Sequence, residues 1–270
     1  MSALTAGGLP RFALTEEIPM TQVTGVARSI PIVSGHAQEV REVVTQVATT
    51  YRSGLAERAR VVRYHKEVMV LQTGGPHGEF LNIYLDFNDV SDIDKAGARI
   101  AEYGKTTPTP FTQYWSSRFA RMSSEPNARS ERVEVLMSWE DDRAGQGVRV
   151  PSMLSRPIQQ SKLGTLQSLL KELHAADHWK GWVDRARAVG CYKESLCVQH
   201  TTQGPRLVVY REGRDAELGR RLTEYNNAAT DFSRWWYPRW NALLEGGSEW
   251  SAAERYETLL DWTDEQWQTA

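Results

Sequence analysis

Residues 58–72, RARVVRYHKEVMVLQ, recur as residues 185–199, RARAVGCYKESLCVQ. Both stretches keep an Arg-Ala-Arg triplet, a Lys-Glu dipeptide and a final glutamine at the same spacing. Further matches on either side extend the similarity to residues 28–122 and 154–243. A similarity of this length indicates a duplicated domain, because the units of a solenoid are much shorter.

Each copy carries the same predicted order of strand, helix, strand, strand and helix. In the first copy a β-branched run, Ala27–Ser34, precedes a set of valines with helical spacing. Tyr64–Thr73 and Phe80–Phe87 alternate, and the glycines and proline between them predict a hairpin turn. Cys191–His200 and Arg206–Glu212 predict the corresponding hairpin of the second copy.

A fourth strand is clear in one copy only. Val133–Trp139 alternates, and we predict that it completes the first copy as the last strand of a ferredoxin-like unit. The second copy shows no equally clear fourth strand. After Gly246–Gly247 the spacing of apolar and acidic residues predicts an amphipathic helix.

Two such units, each with an aromatic-rich helical segment (Phe111–Trp115 and Phe232–Trp236), resemble the dimeric α+β barrel superfamily. That superfamily includes Dabb proteins and antibiotic-biosynthesis monooxygenases. The resemblance implies an α+β fold in which two tandem ferredoxin-like domains pair their antiparallel sheets into an intramolecular barrel. The expected domains are an N-terminal arm (1–24), a first repeat (25–140), a linker (141–149), a second repeat (150–246) and an acidic helical tail (247–270).

Composition excludes several kinds of partner. The formal net charge is −2, which gives no electrostatic reason to expect a nucleic acid or an anionic membrane. Cys191 and Cys197 are six residues apart on one predicted strand, or roughly 20 Å, too far for a disulfide. With two unpaired thiols and no secretory signal pattern, we expect a cytoplasmic protein.

The strand after the first Arg-Ala-Arg triplet offers a candidate catalytic pair. Strand side chains alternate, so His65 and Glu67 are expected on one face. A histidine that titrates near neutrality and a carboxylate that orients it would form an acid–base pair. Tyr192 and Glu194 are the counterparts, but tyrosine is a poor base at neutral pH. We therefore expect catalysis in the first copy. The alternative is a half-exposed histidine beside a surface ion pair.

The opposite face of the same hairpins predicts a seam between the sheets. Lys66 lies opposite Asp86 in the first copy, and Lys193 lies opposite Glu212 in the second. Each lysine is expected to pair within its own hairpin, because buried charges must be matched.

The resemblance implies a ligand cavity between each sheet and its helices. The residues expected to bind substrate there are Met69, Leu71, Tyr114, Trp115 and Trp236. Dinucleotide, phosphate-loop and hydrolase motifs are missing from the sequence. The implied activity is therefore cofactor-independent proton transfer, cyclisation or oxygenation of a small apolar or aromatic molecule.

Two alternatives stay open. His174 and His178 are spaced to share one face of a predicted helix, so either could be the axial ligand of a haem, as in chlorite-dismutase-like or aldoxime-dehydratase-like enzymes. No other metal site is predicted. The second alternative is a ligand-binding or assembly protein without catalysis. In every case a homodimer is a further expectation.

Overall fold

The computed structural model describes residues 24–106, 108–124, 132–143, 147–246 and 253–264. The elements of its first half are β1 (Gly25–Ile32), α1 (Ala37–Ala48), α2 (Arg52–Val62), β2 (Tyr64–Gly75), β3 (Gly78–Phe87), α3 (Val90–Thr106), α4 (Pro110–Met122) and β4 (Val133–Glu140). Those of its second half are β5 (Val150–Pro157), α5 (Leu163–Leu173), α6 (Ala176–Val189), β6 (Cys191–Thr201), β7 (Gly204–Gly213), α7 (Leu218–Asn227), α8 (Asp231–Leu243) and β8 (Arg255–Thr263). The same order of elements therefore occurs twice.

The strands form two four-stranded antiparallel sheets, in the orders β1-β3-β2-β8 and β4-β6-β7-β5. The chain thus belongs to the α+β class, consistent with tandem ferredoxin-like domains. Among the described residues, no helix is both long and apolar enough to cross a membrane. The expected N-terminal arm lies outside the described residues except for Thr24, as do parts of the linker and the tail.

The two halves exchange their fourth strands. β4 pairs with β6 of the second half, and β8 pairs with β2 of the first half. The prediction that β4 completes the first copy is therefore wrong about its partner. The predicted tail helix is also wrong over residues 255–263, which form β8. A β-bulge explains this error, because the extra residue Leu259 places two leucines in succession and hides the strand alternation.

Each exchanged strand is anchored at its end by the second arginine of an Arg-Ala-Arg triplet. Asp264 follows β8, donates its backbone N–H to the His65 carbonyl and contacts Arg60 at 3.3 Å. Asp141 follows β4 and contacts Arg187 at 2.9 Å in the same way. The repeated triplet is thus tied to the strand exchange.

The outward face of each sheet is covered by helices. The valines of α1 and the leucines of α5 are buried there, as their helical spacing predicted. The inward faces of the two sheets contact each other through an apolar cluster in which the rings of Tyr84 and Tyr210 stack at 3.6 Å. The backbone N–H of Ser29 donates to Gln199 at 2.7 Å, and that of Ser155 donates to Gln72 at 2.8 Å.

Two ion pairs, one buried and one partly buried, cross between the halves. Lys66 lies opposite Asp86 in the β2–β3 ladder, yet its Nζ contacts Glu212 of the other half at 2.6 Å. Lys193 likewise contacts Asp86 at 2.5 Å. The prediction that each lysine pairs within its own hairpin is wrong, because the facing sheet brings a carboxylate within reach of each lysine. Burial alone would raise the pKa of Glu212, but Lys66, Tyr210 and Lys193 outweigh it and lower the pKa to about 2.

Replacement of Glu212 should destabilise the fold in a pH-dependent way. Glu212→Gln leaves Lys66 without its buried partner, so we expect the free energy of unfolding to fall by about 3 kcal/mol at pH 7. The folded pKa is below the ordinary value, so the carboxylate stabilises fully above pH 4.5 and loses its effect towards about pH 2. Urea denaturation of both proteins at several pH values would measure the difference.

The matched control is Glu257→Gln. Glu257 is half exposed in its contact with Arg41, so its loss should cost less than about 1 kcal/mol. Equal losses for the two variants would contradict a special role for the crossed pairs.

Candidate functional site

A buried carboxylate, Glu67, lies on the helix-covered face of β2. Arg58 of α2 donates from Nη2 to Glu67 Oε2, and the Tyr64 hydroxyl donates to the same oxygen at 2.7 Å. Arg58 Nε also donates to the Tyr64 hydroxyl at 2.9 Å. Burial raises the pKa of Tyr64 well above its ordinary value, so its hydroxyl stays a proton donor. This arrangement satisfies the requirement that a buried charge be paired and hydrogen-bonded.

Glu67 lines a cavity of about 60 Å³ between the sheet and α2, α3 and α4. Most of its wall is apolar and includes Ile83, Leu85, Phe111, Trp115 and Phe119. Gly104 of α3 and Ser116 of α4 also line it, and both are exposed. The cavity therefore opens to solvent between these two helices.

The two oxygens of Glu67 differ in their surroundings. The hydrogen bonds from Arg58 and Tyr64 both end on Oε2. Within the described part of the chain, Oε1 accepts no hydrogen bond. One carboxylate oxygen is thus held in place, while the other is available to a molecule in the cavity.

The corresponding carboxylate of the second half is fully engaged. Glu194 Oε2 accepts from Arg185 at 2.9 Å, and Oε1 accepts from Arg211 at 2.8 Å. The guanidinium of Arg185 lies 3.9 Å from the ring centre of Trp182, which itself packs edge-on against Trp236. Glu194 therefore takes part in a packed ionic cluster.

His65 and Glu67 do not share a face, so that prediction is wrong. A β-bulge between Tyr64 and Lys66 makes His65 an extra residue and turns its side chain away from Glu67. His65 instead lines a separate cavity of about 480 Å³ at one end of the space between the sheets. Burial lowers the pKa of His65, which favours the neutral imidazole at pH 7. A matching bulge makes Tyr192 the extra residue of β6.

The predicted substrate-binding residues occupy different environments. Trp115 lines the cavity of Glu67. Met69 and Leu71 are buried in the core beneath the helices. Tyr114 stacks on Tyr51 at 4.6 Å, and Trp236 belongs to the aromatic core of the second half. Of the nine residues proposed from sequence, Glu67 and Trp115 are the two that this cavity brings together.

His174 and His178 do not lie on one helix, contrary to prediction. α5 ends at Leu173 and α6 begins at Ala176, so a helix break separates them. His174 Nδ1 bonds the Leu170 carbonyl at 2.6 Å, and His178 stacks on Trp235 at 3.7 Å. Among the described residues, no group of three or more His, Cys, Asp or Glu side chains could hold a metal. Haem ligation by either histidine stays a prediction.

Arg58 and Tyr64 were not among the candidates drawn from sequence. The signal for Arg58 was present, because Arg58 precedes Glu67 by nine residues and Arg185 precedes Glu194 by the same number. A carboxylate repeated on a buried strand requires a repeated cation. Tyr64 has no such signal, since its counterpart is Cys191.

No protein-family model matches the chain, and no curated protein matches it significantly. Several solved structures resemble it at low identity. A protein of Fusobacterium nucleatum described as "putative monooxygenase" has a TM-score of 0.45 and 7% identity, over 89% of this chain and 93% of that one. An "anthrone oxidase-like protein" has a TM-score of 0.46 and 12% identity, over 89% and 90%. With TM-scores below 0.5, these likenesses do not decide what this chain does.

Removal of the Arg58 cation should be costly for stability. Arg58→Met leaves the buried charge of Glu67 with the Tyr64 hydroxyl as its one hydrogen-bond donor among the described residues, so we expect a loss of about 3–5 kcal/mol in the free energy of unfolding. The double variant Arg58→Met/Glu67→Leu should recover part of this loss, because no unpaired charge remains. Urea denaturation at pH 7 would measure both. A double variant that is less stable by the full sum of the single effects would contradict the pairing.

Proposed function

We propose that the chain is an enzyme that acts on a small, largely apolar or aromatic molecule in the first-half cavity, with Glu67 as the base. One observation carries this proposal. Among the residues that the structure describes, none donates a hydrogen bond to the carboxylate oxygen Oε1, which lies beside a cavity whose other walls are mostly apolar. Enclosure of a base by apolar walls is typical of catalytic sites, because it excludes water from the reacting groups.

We infer that this site sits on an internally duplicated barrel. The crossed ion pairs, and the glutamine side chains that accept from β1 and β5, support the inference, because they join the sheets at two related places. Thr258 of β8 also donates to the Pro151 carbonyl of β5 at 3.2 Å. Such closure would hold the first sheet rigid beneath the cavity and fix the position of Glu67.

The chemistry begins with proton transfer. The apolar body of the substrate packs against Trp115 and Phe111, and an acidic C–H or O–H group faces Glu67 Oε1. Arg58 and Tyr64 hold Oε2, so the carboxylate does not turn away as it accepts the proton. The resulting anion can isomerise, cyclise or react with dioxygen. No step of this scheme requires a bound organic cofactor.

The size of the cavity limits the substrate. A volume of about 60 Å³ is well below the roughly 150 Å³ of a cavity known to admit benzene. We therefore expect α3 and α4 to separate slightly when a ring enters. Gly104 and Ser116 at the opening carry little or no side chain to obstruct such movement.

Deuterium exchange would test the proposal without knowledge of the natural substrate. A panel of compact aromatic ketones is incubated with the protein in D₂O, and exchange of the acidic hydrogens is followed by NMR. We expect catalysed exchange that Glu67→Gln reduces by at least about 100-fold. Glu194→Gln is the matched control and should retain the activity of the wild type.

Other outcomes have distinct meanings. Activity that survives Glu67→Gln but is lost in His65→Ala would place the base in the other cavity and overturn the proposal. Binding of panel compounds without any exchange would favour a ligand-binding protein that is not an enzyme.

A further inference from the structure

Besides Tyr64, whose counterpart is Cys191, the two halves differ at the position opposite the candidate base in the hairpin. Leu85 lies directly opposite Glu67 in the β2–β3 ladder. Arg211 lies directly opposite Glu194 in the β6–β7 ladder. The two positions are therefore equivalent in the fold, yet one holds an aliphatic side chain and the other a cation.

The difference determines what happens to the second carboxylate oxygen. Arg211 contacts Glu194 Oε1 through Nε at 2.8 Å and through Nη2 at 2.7 Å. Leu85 has no donor, and it lines the cavity of Glu67. An engaged oxygen would have to lose a charge-assisted bond before it could accept a proton from a ligand.

We propose that the residue opposite the buried glutamate, Leu85 in the first half and Arg211 in the second, decides which half binds the ligand. Leu85 leaves Glu67 Oε1 open, and Arg211 closes Glu194. This inference rests on the proposed function, since it concerns the same carboxylate. It adds that the chain binds one ligand although it contains two related halves.

A second difference between the halves also disfavours ligand binding in the second half. Trp182 occupies the position that corresponds to Leu55, and both side chains are fully buried. Trp182 packs against Arg185, Phe232 and Trp236, which places indole where the first half has only a leucine. Conversion of the second half into a binding half would therefore require two changes, Trp182→Leu and Arg211→Leu.

Phenol and benzene are suitable probes, because phenol can donate its hydroxyl to Glu67 Oε1 and benzene cannot. Calorimetric titration of the wild type should give one phenol per chain. Glu67→Gln should weaken the binding of phenol about tenfold and leave the affinity for benzene unchanged. Leu85→Arg should weaken phenol binding at least tenfold, and Leu85→Met, a substitution of similar volume without a charge, should weaken it far less than Leu85→Arg does.

The outcomes separate the two proposals. Phenol binding that depends on Glu67 but is unaffected by Leu85→Arg would overturn the inference and leave the proposed function standing. Both proposals would be overturned if the wild-type protein bound neither probe. They would also be overturned if Glu67→Gln bound phenol as tightly as the wild type does.

A second variant covers the case in which Leu85→Arg does not fold. Trp182→Leu/Arg211→Leu should raise the stoichiometry from one phenol to two, and the added site should be lost with Glu194→Gln. A folded double variant that still binds a single phenol would overturn the inference.

Discussion

Charge buried between and beneath the sheets is the constraint on which this structure depends. Lys193 is buried and Lys66 is partly buried between the sheets, and each contacts a carboxylate of the opposite half. A lone buried charge costs several kcal/mol, so separation of the halves would remove the partners that offset the burial of these lysines. The crossed pairs therefore make the two halves one folding unit. They also fix the first sheet, which carries the candidate site on its other face.

The Arg-Ala-Arg triplet links this constraint to the exchange of strands. Its first arginine, Arg58 or Arg185, pairs with the buried glutamate of its own half. Its second arginine, Arg60 or Arg187, contacts the aspartate at the end of the strand received from the other half. One short helical motif thus balances the charge of the site residue and anchors the exchanged strand beside it.

Much of the fold could be predicted from sequence, because repeated residues report repeated structure. The hairpins and the apolar faces of the first helices followed from periodicity. The exchanged strand β8 had a signal as well, since Trp139 and Asp141 recur as Trp262 and Asp264. The sequence carries no signal for the strand with which β8 pairs, because alternation predicts a strand but does not identify the sheet to which it belongs. A bulge of one residue hid the strand itself.

The candidate site was less accessible to prediction for a related physical reason. The side-chain direction of His65 depends on a β-bulge, and a bulge of one residue reverses every later side chain without changing composition. Glu67 was predicted as the carboxylate that orients His65, whereas in the structure it is buried and pairs with Arg58 and Tyr64. Its oxygens could be distinguished only from the positions of Arg58 and Tyr64.

Comparison of the two halves separates what the scaffold requires from what a site requires. A residue that both halves need for folding is kept in both, as the lysines, the glutamines and the Arg–Glu pairs are. By that criterion the Arg–Glu pair alone is a structural device, since it occurs beneath the helices of each half. In the first half, Leu85 stands at the position from which Arg211 reaches Glu194 Oε1 in the second, and among the described residues no donor reaches Glu67 Oε1. A fold with two such ionic clusters tolerates one contact fewer in the first, since the contacts from Arg58 and Tyr64 to Glu67 Oε2 still offset the burial of its charge.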